Sequence, residues 1–279
     1  MLGGIIGFDH LMILVRDLAQ AAACYRGLGF TLTDRGEHPA FGTANHTIML
    51  DGNYLELLTV ERVTPASAAR AEILRGREGA YAVALATEDS VAVHHALAER
   101  GIAVDAPADF VRPVRLGDGM RDARFRSVLF PPAPSLPNLF ACQHLTRDLV
   151  WQPAWMAHPN GALRVTEIIL SHADPDALRA DYAVIFGDES IDTVGEGWCL
   201  VIGNTRLSVS RPDAIARWFG GIRLPNGAEA WFAGAGIAVR SMEALVTLLQ
   251  SREIPHVVGR EGVIVPPEAA NGALLLFHS

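Results

Sequence analysis

The sequence predicts an α+β fold made from one β-α-β-β-β unit used four times. Three observations carry that expectation. The first is a recurring order of apolar strand, capping residue, helix, glycine and new strand. It appears in "DHLMILVRDLAQAAACYRGLGF", "AYAVALATEDSVAVHHALAERGIAV", "VTEIILSHADPDALRADYAVIFG" and "AGAGIAVRSMEALVTLLQSREIPHV". The second is the cap itself. Asp17, Asp89, Asp174 and Ser241 occupy one equivalent position, and their side-chain oxygens suit the free N–H groups of a helix start. Counting back seven residues from each cap aligns His10, Ala82, Glu167 and Gly234. The third is that short β-rich pieces, punctuated by Gly and Pro, follow each helix.

Taken in order, the first copy continues with "FTLTDRGEH", "TANHTIMLD" and "NYLELLTV", the last two joined by a tight "DGN" turn. The segment "TPASAARAEILRGREG" reads as a helix bridging to the second copy. That copy offers strands at "IAVDAP", "ARFRSVLFP" and "NLFACQHL". The third offers "WCLVIGN" and "TRLSVSR", and the fourth "IPHVV", "EGVIVPP" and "ALLLFHS". Strands joined by short turns run antiparallel and leave the helix to cover one face. The stretch "TRDLVWQPAWMAHPNGA", rich in Pro and Trp, divides the chain into halves at residues 1–150 and 160–279.

With 279 residues, half of them hydrophobic and 19% charged, the chain can bury one large core or two ordinary ones. A net charge of −8 argues against a nucleic-acid surface. The most basic stretch, "FVRPVRLGDGMRDARFRS", reads as an exposed strand face. Cys24, Cys142 and Cys199 form no CxxC pair and read as small buried hydrophobes in a reducing compartment. No apolar run is long enough for a membrane helix, and the N-terminus has no basic segment ahead of a long apolar one. The expectation is a cytoplasmic protein with a small-molecule substrate, no membrane or nucleic-acid partner, and a homodimer allowed but not required.

The segments "FDHLMILVRDL", "HPAFGTANHTIML", "YLELLTV", "FACQH" and "HPNGA" resemble the vicinal oxygen chelate superfamily, which includes glyoxalases, extradiol dioxygenases and bleomycin-resistance proteins. More narrowly they resemble its glyoxalase-like branch. The resemblance implies four βαβββ modules paired into two cupped, incomplete β-barrels, with a divalent metal inside a cup. It also implies ligands on the first and last strands of paired modules.

Carried onto this chain, His10 takes the first-strand ligand position and Glu56 the last-strand carboxylate position. Ala82 supplies no ligand in the second module. Its last strand offers either His144, the stronger ligand, or Gln143, and strand alternation lets only one of them face inward. His10, Glu56 and His144 would form a two-histidine, one-carboxylate set suited to Fe, Mn, Ni or Zn. Glu56 would also move a proton next to a carbonyl, as the glyoxalase resemblance implies. Asn45, His46, Tyr54 and Gln143 are candidate substrate contacts. In the second half Glu167 holds the first position but Gly234 replaces its counterpart, so the first half is the expected active one.

Two functions follow. One is a metal-dependent lyase, isomerase or ring-cleaving dioxygenase acting on a small oxygenated molecule. The other is a metal-free binding or sequestration protein of the bleomycin-resistance kind, motivated by Ala82 and Gly234.

Overall fold

The computed structural model describes residues 1–117, 119–131, 138–222, 224 and 231–279. The first module comprises β1 (Ile5–Leu14), α1 (Leu18–Gly27), β2 (Gly36–His38), β3 (Thr43–Met49) and β4 (Tyr54–Val60). After the bridging helix α2 (Ala68–Gly76) come β5 (Gly79–Thr87), α3 (Ser90–Glu99), β6 (Ala108–Leu116), β7 (Gly119–Leu129) and β8 (Asn138–His144). The third module is β9 (Ala162–Ser171), α4 (Pro175–Phe186), β10 (Ile191–Val194), β11 (Gly197–Ile202) and β12 (Thr205–Ser210). A second bridging helix, α5 (Pro212–Trp218), precedes β13 (Trp231–Val239), α6 (Met242–Ser251), β14 (Val257–Val258), β15 (Val263–Val265) and β16 (Leu274–His278).

The caps are where the spacing puts them. Asp17 accepts from Gln20 N, Asp89 from Val91 N and Ala92 N, Asp174 from Ala177 N, and Ser241 from Ala244 N. Each satisfies a helix-start donor that would otherwise lack a protein partner.

Two eight-stranded sheets result, ordered β2-β3-β4-β1-β5-β8-β7-β6 and β10-β11-β12-β9-β13-β16-β15-β14. In each, the first strands of two modules pair antiparallel at the centre, and each of them pairs parallel with the last strand of its own module. The sheets curl into paired, incomplete barrels. In the first, the edge strands β2 and β6 come back into contact across the opening.

The central pairings carry a bulge at one repeated place. The register skips Asp9 in β1, Tyr81 in β5, Thr166 in β9 and Ala233 in β13, each eight residues before its helix cap. A bulged residue leaves the period-2 alternation and turns its side chain from the face that spacing would assign.

The helix-covered faces of both sheets share one apolar core that includes Leu11, Tyr25, Leu55, Tyr182, Trp198, Phe232 and Phe277. Polar ties also join the halves. Asn53 exchanges two hydrogen bonds with the backbone of Val165, and Tyr25 donates to the Ala270 carbonyl. His158, which reads as a turn residue in the sequence, accepts from Thr31 N and donates to the Met49 carbonyl.

Some expected strands differ. "IAVDAP" is not a strand, and β6 begins only after Pro107, whose ring removes a ladder donor and restricts Ala106. In the basic stretch, Asp118 lies outside the described residues, and Arg112 is buried rather than exposed. The sequence reading did not anticipate β10 or α5. Among the described residues, no helix is long and apolar enough to cross a membrane.

Candidate active site in the N-terminal cup

The concave face of the first sheet encloses a cavity of about 310 Å³. Alternation sets which side chains reach it: His10 and Met12 from β1, Thr43, Asn45 and Thr47 from β3, Tyr54, Glu56 and Leu58 from β4, and Phe140 and Cys142 from β8. The parallel register places His10 beside Tyr54 and Met12 beside Glu56. The imidazole of His10 therefore reaches along the strand toward Glu56, with Nε2 3.5 Å from Oε2. Its ring stacks on Tyr54 at 4.4 Å and meets the edge of Phe140 at 5.4 Å, which fixes its plane. Asn45 donates to the other oxygen of Glu56 at 2.6 Å.

Behind His10 lies Asp9, only 1% exposed. The bulge lets it reach its own neighbour, with Oδ2 2.6 Å from His10 Nδ1 and 3.0 Å from His144 Nε2. Burial alone would raise the carboxyl pKa of Asp9, but the facing imidazoles of His144 and His10 outweigh it and hold the group well below the usual carboxylate range. An ionised carboxylate only accepts, so both facing ring nitrogens carry the hydrogens. Nε2 of His10 is thereby turned toward Glu56 and the cavity. His144, Asp9, His10, Glu56 and Asn45 form one continuous polar chain.

The sequence-derived candidates fall into three groups. His10, Glu56, Asn45 and Tyr54 share the cavity wall. His144 faces inward, and it joins His10 and Glu56 only through Asp9. His46 and Gln143 point the other way: His46 Nδ1 meets the Thr33 carbonyl at 2.8 Å, while Gln143 accepts from Ser90 N and donates to the Glu88 carbonyl at the start of α3. The period-2 pleat separates Asn45 from His46 just as it separates His144 from Gln143.

The structure adds residues that the sequence reading did not select. Asp9 escaped because strict alternation places it opposite His10. His38 lines the cavity, its Nδ1 3.1 Å from Thr43 Oγ1. Burial pushes its pKa down to about 4, a shift that Glu56 opposes and Arg112, Arg70 and His10 reinforce. Arg112 also lines the cavity, and a signal for it existed, since it shares strand parity with Phe110 and Val114 in β6.

Donor sets for a metal can be tested against this geometry. Among the described residues, one trio of ligand atoms gathers within 4.8 Å, from Asp9, Cys142 and His144. Asp9 Oδ1 and His144 Nδ1 are buried there without hydrogen-bond partners. One carboxylate, one thiol and one imidazole fit a divalent ion in number and type. Burial, with the charges of Asp9 and Glu56, pushes the Cys142 thiol pKa well up, so an ion would have to ionise it on binding. In the cup, His10 and Glu56 would offer two donors, while the matching register positions in the second module are Ala82 and Phe140.

The second sheet is filled differently. Ile215 from α5 and the nearby Phe219 pack with Ile169, Trp231, Ala233 and Leu276 into an apolar cluster. Glu167 is held there by the hydroxyl of Ser208.

A family profile described as "Glyoxalase-like domain" matches residues 8–186, well over half of the chain. The chain belongs to the glyoxalase-like domain family. Among solved structures, a hypothetical protein from Staphylococcus aureus superposes with a TM-score of 0.68 at 16% identity, over 97% of this chain and 98% of that one. A 4-hydroxymandelate synthase mutant from Streptomyces coelicolor gives 0.57 at 15% identity, over 92% and 77%. A xylose isomerase-like TIM barrel/4-hydroxyphenylpyruvate dioxygenase fusion protein gives 0.56 at 13%, over 91% of this chain and 40% of that one. These likenesses, at 13–16% identity, speak to fold alone. No curated protein matches the chain by sequence.

Proposed function

We propose that the N-terminal cup is the active site of an enzyme that moves a proton on a small carbonyl compound. The observation that carries this reading is the pairing of His10 Nε2 with Glu56 Oε2 at 3.5 Å on the wall of an otherwise largely apolar cavity. Proton transfer next to a carbonyl needs a base aimed at the carbon and a donor for the oxygen that gains charge. Glu56, oriented by Asn45, is the base. His10, its tautomer set by Asp9, takes that proton from Glu56 on its bare Nε2, so becomes the donor for the oxygen that gains charge, and then returns the proton. Aromatic walls from Tyr54 and Phe140 exclude water and hold the imidazole in line. Isomerisation, epimerisation and lyase chemistry all begin with this step.

The test is α-proton exchange in heavy water, followed by NMR, with phenylacetone and a panel of similar small carbonyl compounds. The wild-type protein should catalyse exchange, and Glu56→Gln should lower the rate by roughly a hundredfold or more. Exchange by Glu56→Gln at the wild-type rate would overturn the assignment, as would no exchange with any member of the panel.

A second reading is favoured by the two orphaned buried atoms, Asp9 Oδ1 and His144 Nδ1, beside the Cys142 thiol. In it Asp9, Cys142 and His144 hold a divalent ion at the cup floor. When bound, such an ion supplies Lewis-acid polarisation of a substrate oxygen. Elemental analysis of protein purified without added metal decides the matter. Stoichiometric metal that Cys142→Ser removes would favour this reading, and metal-free protein with full exchange activity would dismiss it.

A further inference from the structure

The cup contains a buried cation that pairs with no carboxylate among the described residues. Arg112 is 6% exposed, on the inward face of β6 between Phe110 and Val114. Among the described residues its guanidinium has no hydrogen bond and no ion pair. Other arginines on this barrel are placed differently: Arg126 on the adjoining strand grips Asp109 with two hydrogen bonds, and Arg35 bridges Glu37 and Glu61. The carboxylates that share the cavity are already engaged. Glu56 is taken by Asn45 and His10, and Asp109 by Arg126. A buried guanidinium without a counter-ion costs stability, and its persistence calls for a reason outside the folding of the chain.

The fold also makes room for it. Gly36, on the facing edge strand β2, closes over this side chain. A Cβ at Gly36 would lie 2.8 Å from Arg112 Nη1 and 3.2 Å from its Cδ. A second guanidinium, Arg70 of α2, lines the same cavity, its Nε without a partner. The two cations share the space with the His38 ring, which burial and their charge keep neutral near pH 7. Apolar lining comes from Phe41, Phe110, Phe125, Leu58 and Leu129.

We propose that the N-terminal cup selects a small carboxylate with an apolar, aromatic-sized body, its carboxylate paired with the guanidinium of Arg112. The inference rests on the cup being the substrate site and adds to it the class of molecule bound. A planar guanidinium fork matches a carboxylate with two parallel hydrogen bonds. The cavity of about 310 Å³ sits at the lower end of the roughly 300–1,000 Å³ range of small-molecule sites, which suits one ring and a short chain. Binding there answers the buried charge that folding leaves uncompensated.

The experiment is calorimetric titration of the full chain with 3-phenylpropanoate, its neutral amide and phenyl phosphate, each up to millimolar concentration. Wild-type protein should bind the acid at least about tenfold more tightly than the amide, because the amide leaves the cation unanswered. Arg112→Met should abolish that preference while leaving amide affinity within about twofold, and Arg112→Lys should keep part of it. Without ligand, Arg112→Met should melt about 2–4 °C higher than wild type, since the uncompensated charge is gone. Equal binding of acid and amide by wild type, or a preference that survives in Arg112→Met, overturns the proposal. So does the absence of binding by all three probes together with a lower melting temperature for Arg112→Met. Tighter binding of phenyl phosphate than of the carboxylate overturns the carboxylate assignment. Glu56→Gln separates this proposal from the proton-transfer reading, because it should lose exchange activity and keep the acid-over-amide preference.

Discussion

Asp9 accepts a hydrogen bond from the side chain of the residue that follows it, His10 Nδ1 lying 2.6 Å from its Oδ2. Successive residues of a regular strand point to opposite faces, so this contact depends on the bulge at Asp9. The contact fixes which nitrogen of His10 faces the cavity. Asp9→Asn keeps the shape of the side chain but presents an amide that can donate to Nδ1, releasing the tautomer. Turnover should fall by roughly 10²–10⁴ with a small change in KM. Steady-state kinetics on a substrate found by the exchange screen would check this, and an unchanged kcat would remove Asp9 from the machinery.

Two glycine substitutions should have opposite effects. A Cβ at Gly36 would collide with Asn45 Oδ1 and lie 2.8 Å from Arg112 Nη1, so Gly36→Ala must displace both. The expected cost is about 1–3 kcal/mol, together with weaker binding in the cup. At Gly27, inside the last turn of α1, a Cβ meets nothing within 4 Å. Gly27→Ala should be neutral or stabilise by about 0.4–1 kcal/mol. Urea unfolding of both variants makes the comparison.

His38 gives the protein a specific acid sensitivity. Burial takes its pKa from 6.5 down to about 4, with Arg112, Arg70 and His10 adding to the effect and Glu56 opposing it. The unfolded chain therefore binds a proton that the folded chain refuses. The contribution of His38 to stability is complete above pH 6.5 and drains away as pH falls toward about 4, amounting to roughly 3 kcal/mol at most. Melting temperature measured across that window should fall with pH, and His38→Gln should flatten the fall. An equal slope in the variant would assign the sensitivity to other groups.

The helix caps offer an independent check of the repeat. Asp89 accepts from two backbone N–H groups of α3, at 2.9 and 3.1 Å. Asp89→Ala should cost about 1 kcal/mol, and Asp17→Ala, Asp174→Ala and Ser241→Ala about the same or slightly less. Denaturant midpoints at constant slope would show it.

Most of the architecture was legible because periodicity and capping are local. Asp17, Asp89, Asp174 and Ser241 cap the helices that their spacing predicts, and counting back from them finds His10 and its three counterparts. Glu56 was legible through the family resemblance, and the unbroken pleat of β4 puts Tyr54 on the same cavity face. What escaped depended on long-range pairing. No local signal marks the bulge that carries Asp9, and the parity that Arg112 shares with Phe110 and Val114 gains its meaning only when β2 returns to β6. His46 shows the reverse error, since chemistry suggested a site while the pleat turned it to the Thr33 carbonyl. The filling of the second cup by α5 was equally invisible, because a seven-residue helix behind Pro212 resembles an ordinary loop in sequence.

The bulge recurs at Asp9, Tyr81, Thr166 and Ala233, and only the first of these is an acid. The backbone distortion is thus common to every copy, while the side chain on it differs each time. A duplicated ancestor with this bend would have carried four such corners before any of them held a reactive group. Gaining or losing chemistry then takes one codon at a corner already bent, with no strand to rebuild. Divergence of that kind leaves the scaffold recognisable long after the reactions have parted.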